Sequence, residues 1–300
     1  MRKILYATDL SERTEAAAQR SLDLARLHGA ELRALHVIEA DLEEETLRLL
    51  FREQGGGAQQ ATRELERASE ARMNEQLSAI AGGGADPAWS VGCRWGRGAA
   101  EIAAEAREWG ADLVTIGAHG RRVVRDLFLG ATAERLAHER AGPILVVKRP
   151  PQGGYQRVLV AVDGSGRSRH AVEAAARLAP DAALQLLGVH DTTPLERIYG
   201  AGEGAATELQ AALQDGRQQT AEALGRLVDE LPVRDRVDHF EARGGDPATV
   251  IRQFAEEADV DLVAMGTRGL SRWQGALLGS VARRVAHESE RDVLLTSGEG

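Results

Sequence analysis

Two stretches of this chain carry glycines at a spacing that could bind phosphate groups. In the second half, Gly266, Gly269 and Gly279 follow the apolar run 261–265, and Ser280 comes directly after the third glycine. Because glycine has no Cβ, backbone N–H groups beside it can approach an anion closely. A helical pattern follows Gly279, and a helix N-terminus offers unpaired N–H donors and a dipole that favours anions. A strand, a glycine loop and a helix in this order therefore predict a phosphate site.

The first half repeats this spacing 149 residues earlier, with Gly117, Gly120 and Gly130 after the apolar run 112–116. The spacing alone is weak evidence, because a chain with 33 Gly in 300 residues should show it by chance roughly 0.4 times. Glycines that serve only as turn residues are the alternative. The recurrence at matched positions is the stronger evidence, and it indicates two related sites.

An aspartate directly follows the first apolar run of each half. Asp9 follows the run 3–8, and Asp163 follows the run 158–162. In a parallel sheet, ligands bind beyond the carboxyl ends of the strands, where the strand order reverses. We therefore expect each aspartate to share one crevice with the glycine loop of the same half. As an alternative, each aspartate could only cap the helix that follows it.

Hydrophobic periodicity predicts alternating strands and helices in both halves. The predicted strands are residues 3–8, 31–38, 89–95, 112–116 and 143–148, and then 158–162, 184–189, 237–242, 261–265 and 292–296. The predicted helices are residues 16–27, 42–81 with a break at 55–57, 98–109, 132–139, 168–179 and 205–231, with further helices after 246 and after 280. Ser11 and Asp246 are predicted N-caps. Continuously apolar strands between helices indicate parallel sheets covered on both faces, so we expect two α/β domains, at residues 1–150 and 155–300.

Composition argues against several classes of function. The net charge of −9 disfavours sequence-independent binding to nucleic acid, which needs a basic face. The single cysteine, Cys93, excludes an intrachain disulfide and a cysteine-rich zinc site, and it suits a core position better than a redox sensor. No apolar run approaches the about 18–20 residues of a membrane-spanning helix, and the N-terminus does not resemble a secretory signal. We therefore expect a cytoplasmic protein that binds neither nucleic acid nor membranes.

Sequence signatures of catalysis are weak. The chain has no Gly-x-x-x-x-Gly-Lys-Ser/Thr motif, and its two lysines, Lys3 and Lys148, are far from both glycine loops. A lysine in such a loop is typical of efficient nucleotide hydrolases. His36 and His190 lack the close spacing of a zinc site, and no metal-binding residues are predicted. Side chains near the loops that could contact phosphate or stay solvated are His119, Arg121, Arg122, Arg268 and Arg272, while Trp273 could cover a loop or contact a partner.

On these motifs the chain resembles the universal stress protein family in its tandem, two-domain form. The motifs are Ala161-Val-Asp163-Gly-Ser165 and Gly266-x-x-Gly269-x9-Gly279-Ser280, with a weaker first copy in Ala7-Thr-Asp9 and Gly117-x-x-Gly120-x9-Gly130. The resemblance covers nearly the whole chain. It implies two tandem Rossmann-like domains of the adenine-nucleotide alpha hydrolase-like kind, each a five-stranded parallel sheet flanked by helices. Family members with this glycine motif bind ATP or a related adenine nucleotide, so ATP, with or without Mg²⁺, is the implied ligand.

The resemblance implies a complete nucleotide site in the second domain, formed by Asp163, Val189, Met265 and Gly266 at the base and sugar and by Gly269, Gly279, Ser280 and Val281 at the phosphates. Asp163 would contact the ribose or the adenine edge, and Ser280 would add its hydroxyl to the backbone donors. The counterparts in the first domain are Asp9, Val37, Ile116, Gly117, Gly120, Gly130 and Thr132. Ala131 replaces the expected Ser or Thr there, so the second domain is the expected principal site.

We therefore expect a stress-response protein that binds ATP as a regulatory ligand, with at most slow ATP hydrolysis. The family also implies that the last strands of the two domains, 144–147 and 293–295, pair as a pseudo-dimer within one chain. That pairing would cover two sheet edges. A further homodimer is left open.

Two alternatives differ in class from a nucleotide-regulated protein. The first is a binding or scaffold module for a non-nucleotide ligand, such as a lipid or a protein partner, with vestigial glycine loops. In that case the long inserts 42–81 and 194–231 would form the binding surface. The second alternative is an adenylate-using enzyme of the same fold class.

Overall fold

The computed structural model describes residues 1–39, 58–82, 87–118, 131–195, 206–267 and 278–297. The chain divides into two compact units, Met1–Gln152 and Gly153–Gly300. Within the described residues, no helix is both long enough and apolar enough to cross a membrane. The loops 119–130 and 268–277, which include Gly120, Gly130 and Gly269, lie outside the described residues, as does the predicted helical region 42–57.

The first unit is a five-stranded parallel sheet with helices between the strands. Its elements are β1 (Lys3–Thr8), a 3-10 helix (Glu12–Thr14), α1 (Glu15–His28), β2 (Glu31–Ile38), α2 (Ala58–Ala81), β3 (Trp89–Trp95), α3 (Gly98–Trp109), β4 (Leu113–Gly117), α4 (Ala131–His138) and β5 (Ile144–Val147). The strand order is β3-β2-β1-β4-β5, and all neighbouring pairs are parallel. The order reverses between β1 and β4, which is where such folds bind ligands.

The second unit repeats this arrangement. Its elements are β6 (Arg157–Val162), α5 (Gly166–Leu178), β7 (Ala183–Asp191), α6 (Ala206–Glu230), a 3-10 helix (Arg234–Arg236), β8 (Val237–Gly245), α7 (Pro247–Glu257), β9 (Leu262–Gly266), α8 (Ser280–Glu288) and β10 (Asp292–Thr296). The order is β8-β7-β6-β9-β10, again with parallel neighbours. The predicted fold class is confirmed, with the reversal between β6 and β9. The predicted pairing of the last strands of the two domains stays a prediction.

One aspartate in each unit holds the first strand beside the fourth strand of that unit. Asp112 Oδ2 accepts hydrogen bonds from the N–H groups of Arg2 (2.6 Å) and Lys3 (3.1 Å). Asp261 Oδ2 accepts the N–H groups of residues 156–157 at 2.7 and 2.9 Å. These bonds satisfy backbone donors at the start of β1 and β6, and they join the two strands between which the order reverses.

The start of α1 differs from the prediction. Ser11 precedes a helical turn as expected, but no hydrogen bond from its side chain caps that turn. Ser11 is the N-cap residue of the 3-10 turn, so its predicted position is confirmed, but its hydroxyl donates to Asp9 Oδ1 at 2.6 Å instead of making a capping hydrogen bond. The α-helix itself runs from Glu15 to His28, after the 3-10 turn, and so extends one residue beyond the predicted 16–27 at each end. A short-range bond to the preceding aspartate therefore replaces the cap.

Thr115 provides a test of the first sheet's core. Thr115 has no exposed surface, and its hydroxyl oxygen has no hydrogen-bond partner among the described residues. Because an unpaired buried hydroxyl costs about 1–3 kcal/mol, we expect Thr115→Val to raise the free energy of unfolding by about 1 kcal/mol. Urea-induced unfolding measures this change.

The matched control is Thr115→Ser, which keeps the hydroxyl and removes a buried methyl group. It should lower the free energy of unfolding by about 1 kcal/mol. A valine variant that is less stable than the native chain would show that the hydroxyl is satisfied in solution.

Candidate functional site

The second unit places an aspartate at the carboxyl end of β6, where the strand order reverses. Asp163 Oδ1 accepts three hydrogen bonds, from the N–H of Ser165 (3.0 Å), the hydroxyl of Ser165 (2.6 Å) and the hydroxyl of Ser168 (2.8 Å). Between them, Gly164 has a φ of +75°, a left-handed conformation that glycine adopts at little cost. Asp163 closes the turn before α5, and the N-cap of that helix is Ser165. The alternative in which Asp163 only caps this helix is therefore wrong.

The second carboxylate oxygen of Asp163 has no hydrogen bond. Oδ2 is buried and is without a partner among the described residues. Buried polar atoms in native proteins are almost always paired, and an unpaired one costs about 1–3 kcal/mol. Because an ionised carboxylate only accepts hydrogen bonds, Oδ2 suits a ligand hydroxyl or N–H group.

The ends of the glycine motif meet at β9. Thr267, directly after this strand, donates its N–H to the carbonyl of Thr296 at 2.9 Å, and its own carbonyl accepts the N–H of Gly279 at 2.7 Å. Gly279 is the N-cap residue of α8, and as a glycine it has no side chain to cap this helix. The first-turn N–H groups of α8 have no acceptor inside the helix. The bond from Gly279 to Thr267 places this helix start near the end of β9, and a helix N-terminus favours an anion.

Sheet register brings four predicted residues of the second unit together at the end of β6: Asp163, Val189, Met265 and Gly266. Strand β6 pairs with β7 on one side and with β9 on the other, both in parallel. Met265 is buried, whereas Val189 and Gly266 are half-buried. At the start of α8, Ser280 is exposed and Val281 is half-buried. The site residues of this unit that the structure describes therefore lie along one edge of the sheet.

The long helix α6 packs on β7 and on the Asp163 turn. A Cβ on Gly188 of β7 would lie 2.8 Å from Thr220 Cγ2 of α6, and a Cβ on Gly164 would lie 3.6 Å from Ala223 Cβ. The first of these distances is too short for real side chains, so Gly188 permits the close approach of the helix. From the sequence, this helix was predicted only as part of an insert. In the structure, helix α6 packs beside the Asp163 turn.

The first unit has the same turn with different hydrogen bonds. Asp9 Oδ1 accepts the N–H (2.9 Å) and the hydroxyl (2.6 Å) of Ser11. Thr14 occupies the position of Ser168, but its hydroxyl donates to the carbonyl of Ser11 at 2.7 Å and lies 3.0 Å from the hydroxyl of Thr8. Asp9 also takes part in an interaction beyond these two bonds.

Leu10 makes this first turn more constrained. It stands where the second unit has Gly164 and adopts the same left-handed conformation, with φ +61°, which costs a residue with a Cβ about 1–2 kcal/mol. Its N–H donates to the hydroxyl of Thr8 at 3.0 Å, and its side chain is buried. Burial raises the pKa of Tyr6 to about 12, so that hydroxyl stays protonated and donates to the carbonyl of Thr14 at 3.0 Å. The hydrogen bond from Leu10 to Thr8 and the burial of the Leu10 side chain offset the cost of its left-handed conformation.

The predicted residues of the first unit are only partly described. Asp9, Val37, Ile116 and Gly117 lie together at the ends of β1, β2 and β4. Thr132 is exposed in the first turn of α4. A Cβ at Gly117 would make only ordinary contacts, the nearest being 3.4 Å from Thr14 Cγ2. Packing alone therefore does not require a glycine at this position.

Sequence reasoning assigned no separate role to Ser168 or Thr14, although a signal was present. Both turns carry an aspartate, a serine two residues later and a hydroxyl residue five residues later, at 9–14 and 163–168.

Among the described residues, no three His, Cys, Asp or Glu side chains form a group that could hold a metal ion.

A charged cluster joins α8 to α7. Asp246, the N-cap of α7, accepts the N–H (3.1 Å) and the hydroxyl (2.6 Å) of Thr249. Arg284 of α8 donates to both of its oxygens at 2.9 Å. The Thr249 hydroxyl and the Arg284 guanidinium hold the pKa of Asp246 below its ordinary value, although partial burial opposes this. The predicted Asp246 cap is confirmed.

The fold and these sites define a class: tandem doubly wound α/β domains, each with an aspartate turn at its point of strand reversal. A model of the universal stress protein family matches residues 1–148 and 154–297. The chain therefore belongs to that family, and the resemblance inferred from its motifs is confirmed.

Individual relatives agree with this membership. A universal stress protein of Methanocaldococcus jannaschii is 31% identical over 143 residues, which cover 47% of this chain and 81% of the relative. One from Mycolicibacterium smegmatis is 30% identical over 194 residues, 62% of this chain and 61% of the relative. The crystal structure of a universal stress protein from Archaeoglobus fulgidus matches with a TM-score of 0.61 at 18% identity, over 98% of each chain. At that identity, the likeness shows the fold alone.

The Asp246 cluster predicts a stability difference that depends on pH. Because the folded pKa is lowered, the carboxylate stabilises the fold above its unfolded pKa of about 3.9, and this contribution is lost as pH falls through the folded pKa. Asp246→Ala should lower the free energy of unfolding by about 1 kcal/mol at pH 7, with the difference from the native chain shrinking in acid. Urea unfolding across the pH range measures it.

Asp246→Asn is the matched variant, because asparagine still caps the helix but loses the ion pair with Arg284. Its stability at pH 7 should lie between those of the native chain and the alanine variant. A stability loss for Asp246→Ala that is the same at pH 7 and in acid would contradict the assigned role of the ionised carboxylate.

Proposed function

We propose that this protein binds ATP, or a closely related adenine nucleotide, as a regulatory ligand in a stress response, chiefly through residues 155–300. Asp163 accepts a hydrogen bond from the ribose or the adenine edge. Gly266 lines the base and sugar, and Gly279 holds the phosphates together with the N-terminus of α8. Membership of the universal stress protein family supports the stress-related role.

The observation that carries the proposal is the unpaired Asp163 Oδ2. This oxygen is buried and has no partner among the residues that the structure describes, and it lies at the end of β6, beside the half-buried Val189 and Gly266. A nucleoside supplies hydroxyl and amino donors of the kind that this acceptor lacks. Its flat base suits the apolar edge that Val189 and Met265 form.

The start of α8 supports phosphate binding at the same edge. The hydrogen bond from Gly279 to Thr267 (2.7 Å) holds the helix start at the end of β9. Ser280 is exposed in the first turn, so both its hydroxyl and the free backbone donors can reach an anion. The first unit has Ala131 at the corresponding position, which gives it one donor fewer.

Binding without efficient hydrolysis fits the residues present. The chain has no lysine near either glycine loop, and such a lysine is what efficient nucleotide hydrolases use. No acidic cluster for a metal occurs among the described residues. A Mg²⁺ ion that accompanies ATP would therefore be held mainly by phosphate oxygens and water, as is usual for this ion.

The test is a pair of isosteric variants. In Asp163→Asn, the amide oxygen can keep the three bonds of Oδ1, and the NH₂ group then replaces the acceptor Oδ2 with a donor. We expect its affinity for ATP to fall about tenfold or more, because a charge-assisted hydrogen bond is lost. Asp9→Asn is the matched control and should change the overall affinity much less. Isothermal titration calorimetry on nucleotide-free protein, with and without Mg²⁺, measures both.

No heat of binding from the unmodified chain at millimolar ATP would refute the proposal. Native mass spectrometry of freshly purified protein then tests for a co-purified ligand. A bound lipid in place of nucleotide would identify the protein as a binding module for another ligand.

A further inference from the structure

The chain carries two copies of one turn, and they differ in the partners of the hydroxyl group five residues after the aspartate. In the second unit, the Ser168 hydroxyl accepts the Asp163 N–H at 3.0 Å and donates to Asp163 Oδ1 at 2.8 Å. Both roles of the hydroxyl are therefore directed at the aspartate. In the first unit, Thr14 has the same position, but its hydroxyl donates to the carbonyl of Ser11 and lies 3.0 Å from the hydroxyl of Thr8.

The residue before the aspartate explains the difference. In the first unit this residue is Thr8, whose hydroxyl lies 3.0 Å from that of Thr14. In the second unit it is Val162, which has no hydroxyl. Val162 and Ser168 are both buried, with 7% and 4% of their surfaces exposed. The serine hydroxyl therefore has no competing side-chain partner at position 162, and it bonds to the aspartate.

We propose that Ser168 is a positioning residue for nucleotide binding, and that Val162 permits this role by leaving the Ser168 hydroxyl to Asp163. The inference rests on the proposed function. With Ser165 and Ser168 both donating to Oδ1, the carboxylate is held in one orientation, and Oδ2 is the oxygen left for the ligand. Thr8 removes this arrangement from the first unit, and the second unit binds more tightly in consequence.

Four full-length proteins test the inference: the native chain, Ser168→Ala, Ser168→Thr and the double variant Val162→Thr with Ser168→Thr. The alanine variant should lose about tenfold in ATP affinity, since one donor to a charged acceptor is gone. Ser168→Thr should restore native affinity, because threonine carries the same hydroxyl and Val162 cannot divert it. The double variant recreates the Thr8–Thr14 pair and should again lose about tenfold.

Inorganic tripolyphosphate is the second probe, because it has neither base nor ribose. Its binding should be the same for all four proteins, since Asp163 acts on the nucleoside end. Thermal unfolding of each variant checks that the second unit is folded. Calorimetric titration gives both the affinity and the stoichiometry.

The outcomes separate the two proposals. A native chain that binds no ATP would overturn the proposed function and this inference with it. A native chain that binds ATP, with a folded Ser168→Ala variant of equal affinity, would overturn the inference alone. A Ser168→Thr variant that binds ATP as weakly as Ser168→Ala would show that Ser168 is merely structural. So would a Ser168→Ala variant that loses as much affinity for tripolyphosphate as for ATP.

Discussion

The candidate site of the second unit depends on how the two oxygens of one carboxylate are used. Asp163 Oδ1 accepts three hydrogen bonds within the turn, whereas buried Oδ2 accepts none from the described residues. The internal bonds fix the direction of the carboxylate. The second oxygen lacks a hydrogen-bond donor among the described residues. A flexible aspartate on the surface would satisfy both oxygens with water and would select no ligand.

The parallel sheet determines what surrounds this carboxylate. Because parallel strands end at the same edge, residues far apart in sequence, such as Val189 and Gly266, must meet at the end of β6. Asp261 strengthens this arrangement from the opposite edge by bonding the first N–H groups of β6. Helix α6 then closes one side, since Gly188 lets Thr220 approach the strand. The same edge thus collects an acceptor, an apolar surface and a helix N-terminus.

Much of this fold could be predicted from the sequence, because strands buried on both faces are continuously apolar. β1, β2 and β10 were predicted with the bounds observed. Hydroxyl partners could not be predicted. The bond of Ser11 to Asp9, and the diversion of Thr14 to Thr8, depend on which acceptor lies nearer after folding. A sequence pattern does not show which of several nearby acceptors of the same chemical type a hydroxyl will choose.

The contrast between the two turns gives a physical reason for proposing the second unit as the principal site. In the first unit, the Thr8 hydroxyl accepts the N–H of the left-handed Leu10 and lies 3.0 Å from the Thr14 hydroxyl. The hydroxyls of Thr8 and Thr14 therefore bond to other groups of the turn. In the second unit, Gly164 adopts its conformation at little cost, so no such bonds are needed and Ser168 can bond the aspartate. The unpaired Oδ2 costs about 1–3 kcal/mol in the free protein. In the proposed function, a ligand donor would remove that cost, so part of the affinity for a nucleotide would come from an acceptor that has no partner among the described residues.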